Sequence, residues 1–223
     1  DYVQGGGSLL LIGPEAANLF MPELGIEFSG ELEEHQALWL EHEGRLAGYS
    51  NTLARPVRVK DGVQAFGKLY ADNDPIGPYE IAASIAAYGQ GKIAATYFNY
   101  GERYLHGANY VARDFLNALT RKLFPQPLVD VSGSHDVDVV VNRLEGKLMV
   151  NLVNTAGPHA NGNIFTFDEI PPLGPLLVTI RSGSRPARVT LQPEGQELHY
   201  TYENGEIRLT LPRLEIHAVI MVE

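Results

Sequence analysis

The 223-residue sequence contains no cysteine, and this absence excludes several kinds of chemistry. Disulfide bonds, thiolate zinc sites and every reaction that uses a cysteine nucleophile need that residue. The absence leaves the cellular compartment undetermined, because exported proteins can also lack cysteine, and we slightly favour a cytoplasmic location. The hydrophobic fraction of 44% and the charged fraction of 20% are ordinary for a chain that buries a core.

The sequence also has no long apolar run and no cluster of basic residues. No run approaches the roughly 20 apolar residues that a membrane-spanning helix needs. The formal net charge is -10, and the lysines and arginines are scattered along the chain, so a polyanionic partner is disfavoured. We therefore predict neither a nucleic-acid partner nor a membrane partner. The first residue is Asp1 rather than methionine, and we expect a further segment to precede it.

The first half of the sequence combines strand and helix patterns. Residues 8–12 form an apolar run between glycines, which predicts a strand buried on both faces of a parallel sheet. Residues 81–88 and 92–98 predict two strands that are joined by a tight Gly-rich turn at 89–91. Residues 108–124 carry apolar side chains at helical spacing, so we predict a helix there.

The second half reads as an all-β domain. Eight short strands are expected, at residues 129–131, 137–141, 147–153, 176–180, 187–191, 198–202, 207–211 and 217–222. Asn204 and Gly205 are typical of the tight turn of a β-hairpin. Pro125 and Pro127 cannot continue the preceding helix. We therefore place a domain boundary near Gln126, with an α/β domain at 1–126 and an antiparallel β-sandwich at 127–223.

Three segments, in this order, resemble a known family. Residues 2–11 resemble the YVxxGGxLLL segment of flavodoxin-like, glutamine-amidotransferase-like domains, and residues 87–93 resemble the xxGxGKV strand pair of the same domains. Residues 148–154 resemble the LVHLVN strand that opens the β-sandwich behind such domains. In glycoside hydrolase family 42 β-galactosidases, such a domain follows the catalytic barrel and makes trimer contacts. The ordered set therefore resembles the C-terminal part of these enzymes.

The resemblance implies an accessory role for this chain. It implies an incomplete flavodoxin-like domain followed by the β-sandwich, with the catalytic glutamates on a barrel that this sequence does not contain. Partners would be an N-terminal catalytic segment or another chain, together with further copies in a homo-oligomer. Without cysteine, the amidotransferase reaction is excluded. We expect no cofactor, no metal and no catalytic residue in the chain itself.

Residues 99–107 form the most promising candidate ligand loop. The segment follows the C-terminal end of a predicted strand, where open α/β sheets place their ligand sites. It is rich in aromatic and polar groups, as sugar-contacting loops are. An interface loop or the entry to the next helix is the alternative interpretation. The candidate ligand-binding residues are Tyr100, Glu102, Arg103, Tyr104 and His106.

Three other constellations are interpreted as structural. Ser134, His135 and Asp136 are adjacent in sequence and cannot assemble a triad, so they predict a turn. His35 and His42 lie among glutamates without a ligand spacing that indicates a metal, and a solvated acidic face is the simpler interpretation. Residues 72–74 resemble the start of a calcium loop, but position 76 is isoleucine and a capped turn is expected instead.

Two alternative functions remain open at this point. Tyr200 and Tyr202 share one face of a predicted strand and would form a carbohydrate-binding platform if their rings were exposed. A free-standing enzyme would use the 99–107 loop, and converging carboxylates in a pocket there would favour it.

Residues 8–12 lack enough parallel neighbours in this sequence, so we expect an open or partner-paired strand edge there.

Overall fold

The computed structural model describes residues 1–107, 109–157 and 169–223. The chain divides into two compact units, Asp1–Gln126 and Pro127–Glu223. Among the described residues, no helix is both long enough and apolar enough to cross a membrane.

The first unit mixes strands with four helices in its described part. The strands are β1 (Ser8–Leu11), β2 (Ile26–Phe28), β3 (Glu33–His42), β4 (Arg45–Ala54), β5 (Val57–Val59), β6 (Gln64–Tyr70), β7 (Tyr79–Tyr88) and β8 (Gly91–Thr96). The helices are α1 (Pro14–Asn18), α2 (Met21–Leu24), α3 (Tyr100–Gly107) and α4 (Tyr110–Leu123).

The main sheet of this unit has six strands in the order β1-β8-β7-β6-β3-β4. Only β1 and β8 run parallel within it, with Leu9 opposite Ile93 and Leu11 opposite Ala95, while the other neighbours are antiparallel. β1 lies at an edge of the sheet, as the sequence predicts, and has β8 as its one strand partner in the described chain. The parallel sheet that a flavodoxin-like domain implies is represented here by this single pairing.

Helix α4 covers one face of the sheet. Its N-cap residue Asn109 accepts a hydrogen bond from the backbone amide of Ala112 at 3.0 Å, which satisfies one of the free donors of the first turn. Phe115 and Leu119 are fully buried against the sheet, and the helix ends at Leu123, before Pro125. The apolar spacing of the sequence therefore predicts this helix to within two residues at its start.

Over β1, β8 and most of β7, the other face of the sheet is covered by the short helices α1 and α2 and by a ribbon in which β2 pairs with β5. Strands β7 and β8 are thus buried on both sides, which explains their unusual composition. Four alanines in these strands, at positions 82, 83, 94 and 95, are fully buried. Their small side chains let the helices and the ribbon on the two faces pack close to the sheet. Tyr97 fills the remaining space and is also fully buried.

The two glycine motifs of the sequence meet at one end of the sheet. The turn between β7 and β8 receives the N-terminal segment, and the Gln90 amide donates to the Gln4 carbonyl at 3.0 Å. A Cβ atom at Gly91 would lie 2.0 Å from the carbonyl oxygen of Gly7. Gly89 has φ +64°, a conformation that glycine adopts without steric cost. Glycine is therefore required by close backbone approach at position 91 and by conformation at position 89.

The second unit is built from strands in its described residues, and no helix occurs in 127–157 or 169–223. The strands are β9 (Val129–Ser132), β10 (Val137–Leu144), β11 (Lys147–Asn154), β12 (Leu176–Arg181), β13 (Val189–Gln192), β14 (Gln196–Glu197), β15 (Tyr200–Glu203), β16 (Glu206–Leu211) and β17 (His217–Val222). All eight strands expected from the sequence are present, and β14 is an addition.

These strands form two antiparallel sheets around a common core. One sheet has the order β10-β11-β17-β13-β14 and the other β15-β16-β12-β9. Alternate residues such as Val150 and Ile220 from the first sheet pack with Val178 and Leu209 from the second. The strands alternate between buried and exposed positions, which is the pattern of a sheet with one solvated face. The unit is therefore an antiparallel β-sandwich.

Substituting Phe115 with alanine should lower the free energy of unfolding of the first unit by about 3–5 kcal/mol, because it leaves a ring-sized cavity in the core. The ring contacts His42, Phe66, Phe98 and Tyr100. Urea unfolding can be followed by the fluorescence of the single tryptophan, which lies in this unit.

The matched control for this substitution is Phe124→Ala, since Phe124 is 56% exposed one residue beyond the same helix. Its replacement should change the unfolding free energy by no more than about 0.5 kcal/mol. Equal losses for the two variants would contradict the described core.

Candidate functional site

The candidate site lies beyond the C-terminal ends of β1 and β8. Because these two strands are parallel, the loops that follow them emerge at the same edge of the sheet. The Gly13 amide donates to the Thr96 hydroxyl oxygen at 2.8 Å, a buried bond that ties the end of one strand to the loop after the other. Helix α1 starts directly after the first loop, and α3 starts after the second.

A cleft of about 350 Å³ opens between these two loops. Its wall is formed by the backbone of the first loop, two carboxylates, an amide and several apolar side chains. The lining residues are Ile12, Gly13, Pro14, Glu15, Ala16, Leu32, Leu53, Asn99, Gly101 and Glu102. This mixture of apolar walls and a few polar groups is typical of small-molecule sites.

Glu102 is held by two side chains at the rim of this cleft. The Asn99 amide nitrogen donates to one carboxylate oxygen at 2.6 Å, and the Arg103 guanidinium donates to the other at 2.6 Å. The hydrogen bond from Asn99, followed by that from Arg103, lowers the pKa of Glu102 below its ordinary value. Both oxygens are therefore engaged, and the group is ionised near neutral pH.

Asn99 and Arg103 are themselves fixed by the backbone of β4. The Asn99 side-chain oxygen accepts from the Leu53 amide at 3.2 Å, and the Arg103 guanidinium donates to the Ser50 carbonyl at 2.8 Å. The buried Nε of Arg103 has no hydrogen-bond partner in the described structure. The network holds the start of α3 against β4, so these side chains have a structural role.

The five ligand-binding candidates from the sequence are only partly brought together. The segment expected to be a loop is helix α3, so its side chains point in different directions. Glu102 lines the cleft, whereas Tyr100 is 2% exposed and donates its hydroxyl to the Ala112 carbonyl at 2.8 Å. Tyr104 stacks on Tyr100 in the core cluster, with ring centroids 5.7 Å apart, and His106 is exposed.

The sequence analysis does not predict the part of the cleft that is formed by the loop after β1. Gly13, Pro14 and Glu15 follow β1 as the candidate loop follows β8, and both strand ends lie at the same edge. The signal was present, because a glycine and a proline directly after a buried strand mark the type of loop that binds ligands in open sheets. What the sequence did not contain was the pairing of β1 with β8.

The remaining constellations have structural roles. The solvated face expected around His35 and His42 is wrong at His42, which is buried and packs between the rings of Phe66 and Phe115. The carboxylates of Asp72 and Asp74 accept the backbone amides two residues on, at 2.8 and 3.0 Å, which is the expected capped turn. Within the described residues, no group of three potential metal ligands comes together.

The aromatic platform considered for the sandwich is not formed. Tyr200 and Tyr202 do share one face of β15, but that face packs on the core between the two sheets. Their hydroxyls donate to the carbonyls of Pro186 at 2.9 Å and Ser182 at 3.2 Å. The two-residue repeat of a β-strand correctly predicts that both rings lie on one face of β15. It does not determine whether that face is buried.

Solved structures with the same arrangement come from glycoside hydrolases. An α-L-fucosidase isoenzyme from Paenibacillus thiaminolyticus matches 99% of this chain with a TM-score of 0.77 and 18% identity. A β-galactosidase from Bacillus circulans sp. alkalophilus matches 100% with a TM-score of 0.56 and 12% identity. A catalytic mutant of the GH42 β-galactosidase Gan42B from G. stearothermophilus matches 99% with a TM-score of 0.55 and 16% identity.

At these identities the similarity establishes the fold of the chain. The chain spans 37% of the length of the fucosidase, 30% of the B. circulans enzyme and 29% of Gan42B. No protein-family model and no curated protein sequence matches it. The chain therefore has the fold of a portion of glycoside hydrolases of two activities.

The pKa of Glu102 provides a test of the network at the cleft. Carboxyl NMR titration should give a value below the ordinary 4.5, and Asn99→Ala should raise it, because the largest stabilisation of the ionised form is removed. A depressed folded-state pKa contributes stability above the unfolded-state pKa and loses it as the pH falls through the folded value.

The difference in stability between the parent and the Asn99→Ala variant should accordingly narrow below about pH 4.5. The exposed Asn73, replaced by alanine, is the control and should leave the pKa of Glu102 unchanged. A Glu102 pKa that does not respond to Asn99→Ala would refute the described network.

Proposed function

We propose that this chain is the C-terminal, non-catalytic portion of a larger glycoside hydrolase. Its two units would complete and support the parent fold, contribute to oligomer contacts, and place the cleft between the loops of β1 and β8 at the mouth of the parent active site. The observation that carries the proposal is the match of 99% of this chain to 37% of a fucosidase with a TM-score of 0.77.

The open edge of β1 supports the view that a preceding segment completes the first unit. Leu9 and Leu10 are half-buried and Ile12 is 45% exposed, although full burial of such side chains stabilises a fold by about 1.5–3 kcal/mol each. A strand with unpaired backbone groups and apolar side chains is a site for pairing with another strand. We infer that a parallel strand of the same polypeptide covers it, giving a complete flavodoxin-like domain.

The lowered pKa of Glu102 at the cleft supports a non-catalytic role. Acid-base catalysis of glycoside hydrolysis needs one carboxylic acid with a raised pKa to protonate the leaving oxygen. Glu102 has a lowered pKa, and both of its oxygens accept hydrogen bonds from neighbouring side chains. The cleft contains two carboxylates, Glu15 and Glu102, so a free-standing enzyme remains the second candidate, and it is the one tested by activity.

The purified chain should not hydrolyse aryl galactosides or aryl fucosides above the rate of a blank, because the pKa of Glu102, the hydrogen-bonded carboxylate of the cleft, is lowered and the group does not act as the acid that protonates the leaving oxygen. A longer polypeptide that contains the preceding segment should hydrolyse at least one of them. Turnover by the chain alone that is abolished in Glu102→Gln, but retained in the control Glu203→Gln at an exposed strand position, would establish the second candidate instead.

Hydrogen exchange would test the completion of the sheet. In the chain alone, the β1 amides that do not bond to β8 should exchange rapidly, because they face an open edge. In the longer polypeptide the same amides should exchange more slowly by at least an order of magnitude, whereas the amides of β16, in the sandwich, should be unchanged and serve as the reference. Equal exchange of β1 in both proteins would contradict the completion of this edge.

A further inference from the structure

Three aromatic side chains form a row across the face of the main sheet that α4 does not cover. Trp39 on β3 lies opposite Tyr70 on β6, and Tyr70 lies opposite Tyr79 on β7. On the other side, Trp39 lies opposite Gly48 on β4. Directly opposed residues project from the same face of a sheet. Trp39, Tyr70 and Tyr79, here called the aromatic row, therefore run at right angles to the strands, and Gly48 continues their line on β4.

The indole of Trp39 is held over the backbone of the neighbouring strand. A Cβ atom placed on Gly48 would lie 3.0–3.1 Å from three carbons of the six-membered ring. Because Gly48 has no side chain, the indole can pack directly on the backbone of β4. The Trp39 side chain is half-buried. Packing fixes the orientation of the ring before any ligand arrives, which reduces the entropic cost of stacking on it.

The other end of the row is exposed. Tyr79 is 53% exposed, and its ring centroid lies 5.8 Å from that of the buried Tyr70, which supports it from below. Neighbouring strands are about 4.8 Å apart, so Trp39 and Tyr79, two strands from each other, are separated by roughly 10 Å. Two ring surfaces at such a distance can each accept one ring of an extended ligand.

A charged pair runs alongside the row. Glu41 and Lys68 are opposed on β3 and β6, with 3.7 Å between carboxylate and ammonium, and the ammonium lies over part of the Tyr79 ring, 5.0 Å from its centroid, in a cation-π contact. Tyr70 and Glu41 raise the pKa of Lys68 above its usual value, so its ammonium stays protonated across the physiological range. The pair carries no net charge. Its ammonium is 43% exposed and offers donors, whereas the Glu41 carboxylate is 15% exposed and has one oxygen already bonded to the Gly44 amide at 2.7 Å.

We propose that the aromatic row is a binding surface for a neutral oligosaccharide, whose sugar rings stack on Trp39 and Tyr79 while hydroxyl groups bond to Glu41 and Lys68. The negative faces of aromatic rings attract the partially positive C–H groups of a sugar ring, and the hydroxyls around that ring need donors and acceptors nearby. A neutral ligand fits better than an anionic one because the charged pair is balanced and the chain as a whole is acidic.

The choice of a sugar as occupant rests on the proposed function, whereas the geometry of the surface does not. A protein partner would bury the ion pair of Glu41 and Lys68 at a desolvation cost that a polyhydroxylated ligand avoids by bonding to both groups. Because the test below measures binding and not hydrolysis, its failure would leave the assignment to a glycoside hydrolase untouched.

The test uses tryptophan fluorescence, since Trp39 is the single tryptophan of the chain and belongs to the proposed site. Titration of the purified chain with a β-linked galactotriose and with a fucosylated lactose should give a saturable emission change for at least one sugar. The dissociation constant should be on the order of 1 mM, as expected for a shallow surface. No saturable change with either sugar up to ten times that concentration would overturn the proposal.

Variants then locate the binding surface. Tyr79→Ala should weaken binding about tenfold, whereas Tyr79→Phe should retain it within about twofold, because stacking needs the ring and not the hydroxyl. Tyr110→Ala, which removes a tyrosine of similar exposure (56%) from α4, is the control and should leave the affinity unchanged. Unfolding midpoints equal to the parent would show that each variant is folded.

Two further outcomes would count against the proposal. Equal weakening by Tyr79→Ala and Tyr110→Ala would show that the signal does not come from the aromatic row. Sedimentation showing that Tyr79→Ala dissociates an oligomer of the parent chain would identify the row as an interface between copies, in place of a sugar site.

Discussion

The parallel pairing of β1 with β8 is the interaction on which the first unit depends. It brings the backbone at Gly7 so close to Gly91 that no side chain fits between them, and it aligns the apolar strand β1 with the alanine-rich strand β8. The short helices α1 and α2 on one face and α4 on the other pack closely on the strands around this pairing because alanine leaves room for them. The same pairing puts the loops after both strands at one edge and so creates the cleft.

The surroundings of Glu102 at the cleft stabilise its ionised form. A carboxyl group that acts as an acid is kept protonated by desolvation or by a neighbouring anion. At Glu102 the surroundings act in the opposite sense, since an amide and a guanidinium both stabilise the ionised form. These interactions anchor α3 on β4, because Asn99 and Arg103 also bond to the backbone of β4.

The aromatic residues of the chain differ in whether the face of the strand that carries them is covered. Tyr200 and Tyr202 have the spacing of a platform, yet their partly buried rings pack against the core of the sandwich and their hydroxyls donate to backbone carbonyls. Trp39 and Tyr79 are forty residues apart and no sequence pattern links them. They are aligned because β6 pairs with both of their strands, which makes a surface from residues that are distant in sequence.

Short-range patterns in the sequence predict the local elements of this protein. The helical spacing around Phe115, the turn at Asn204 and Gly205, the strands of the sandwich and the apolar run of β1 all follow from short-range patterns, because period and turn chemistry are local properties. The tertiary structure alone decided which elements are neighbours. It placed Glu15 beside Glu102 across one cleft, turned the expected loop at 99–107 into a helix, and buried Tyr100. Contacts of this kind depend on strand order and on which face of an element is covered, and neither is encoded within the element itself.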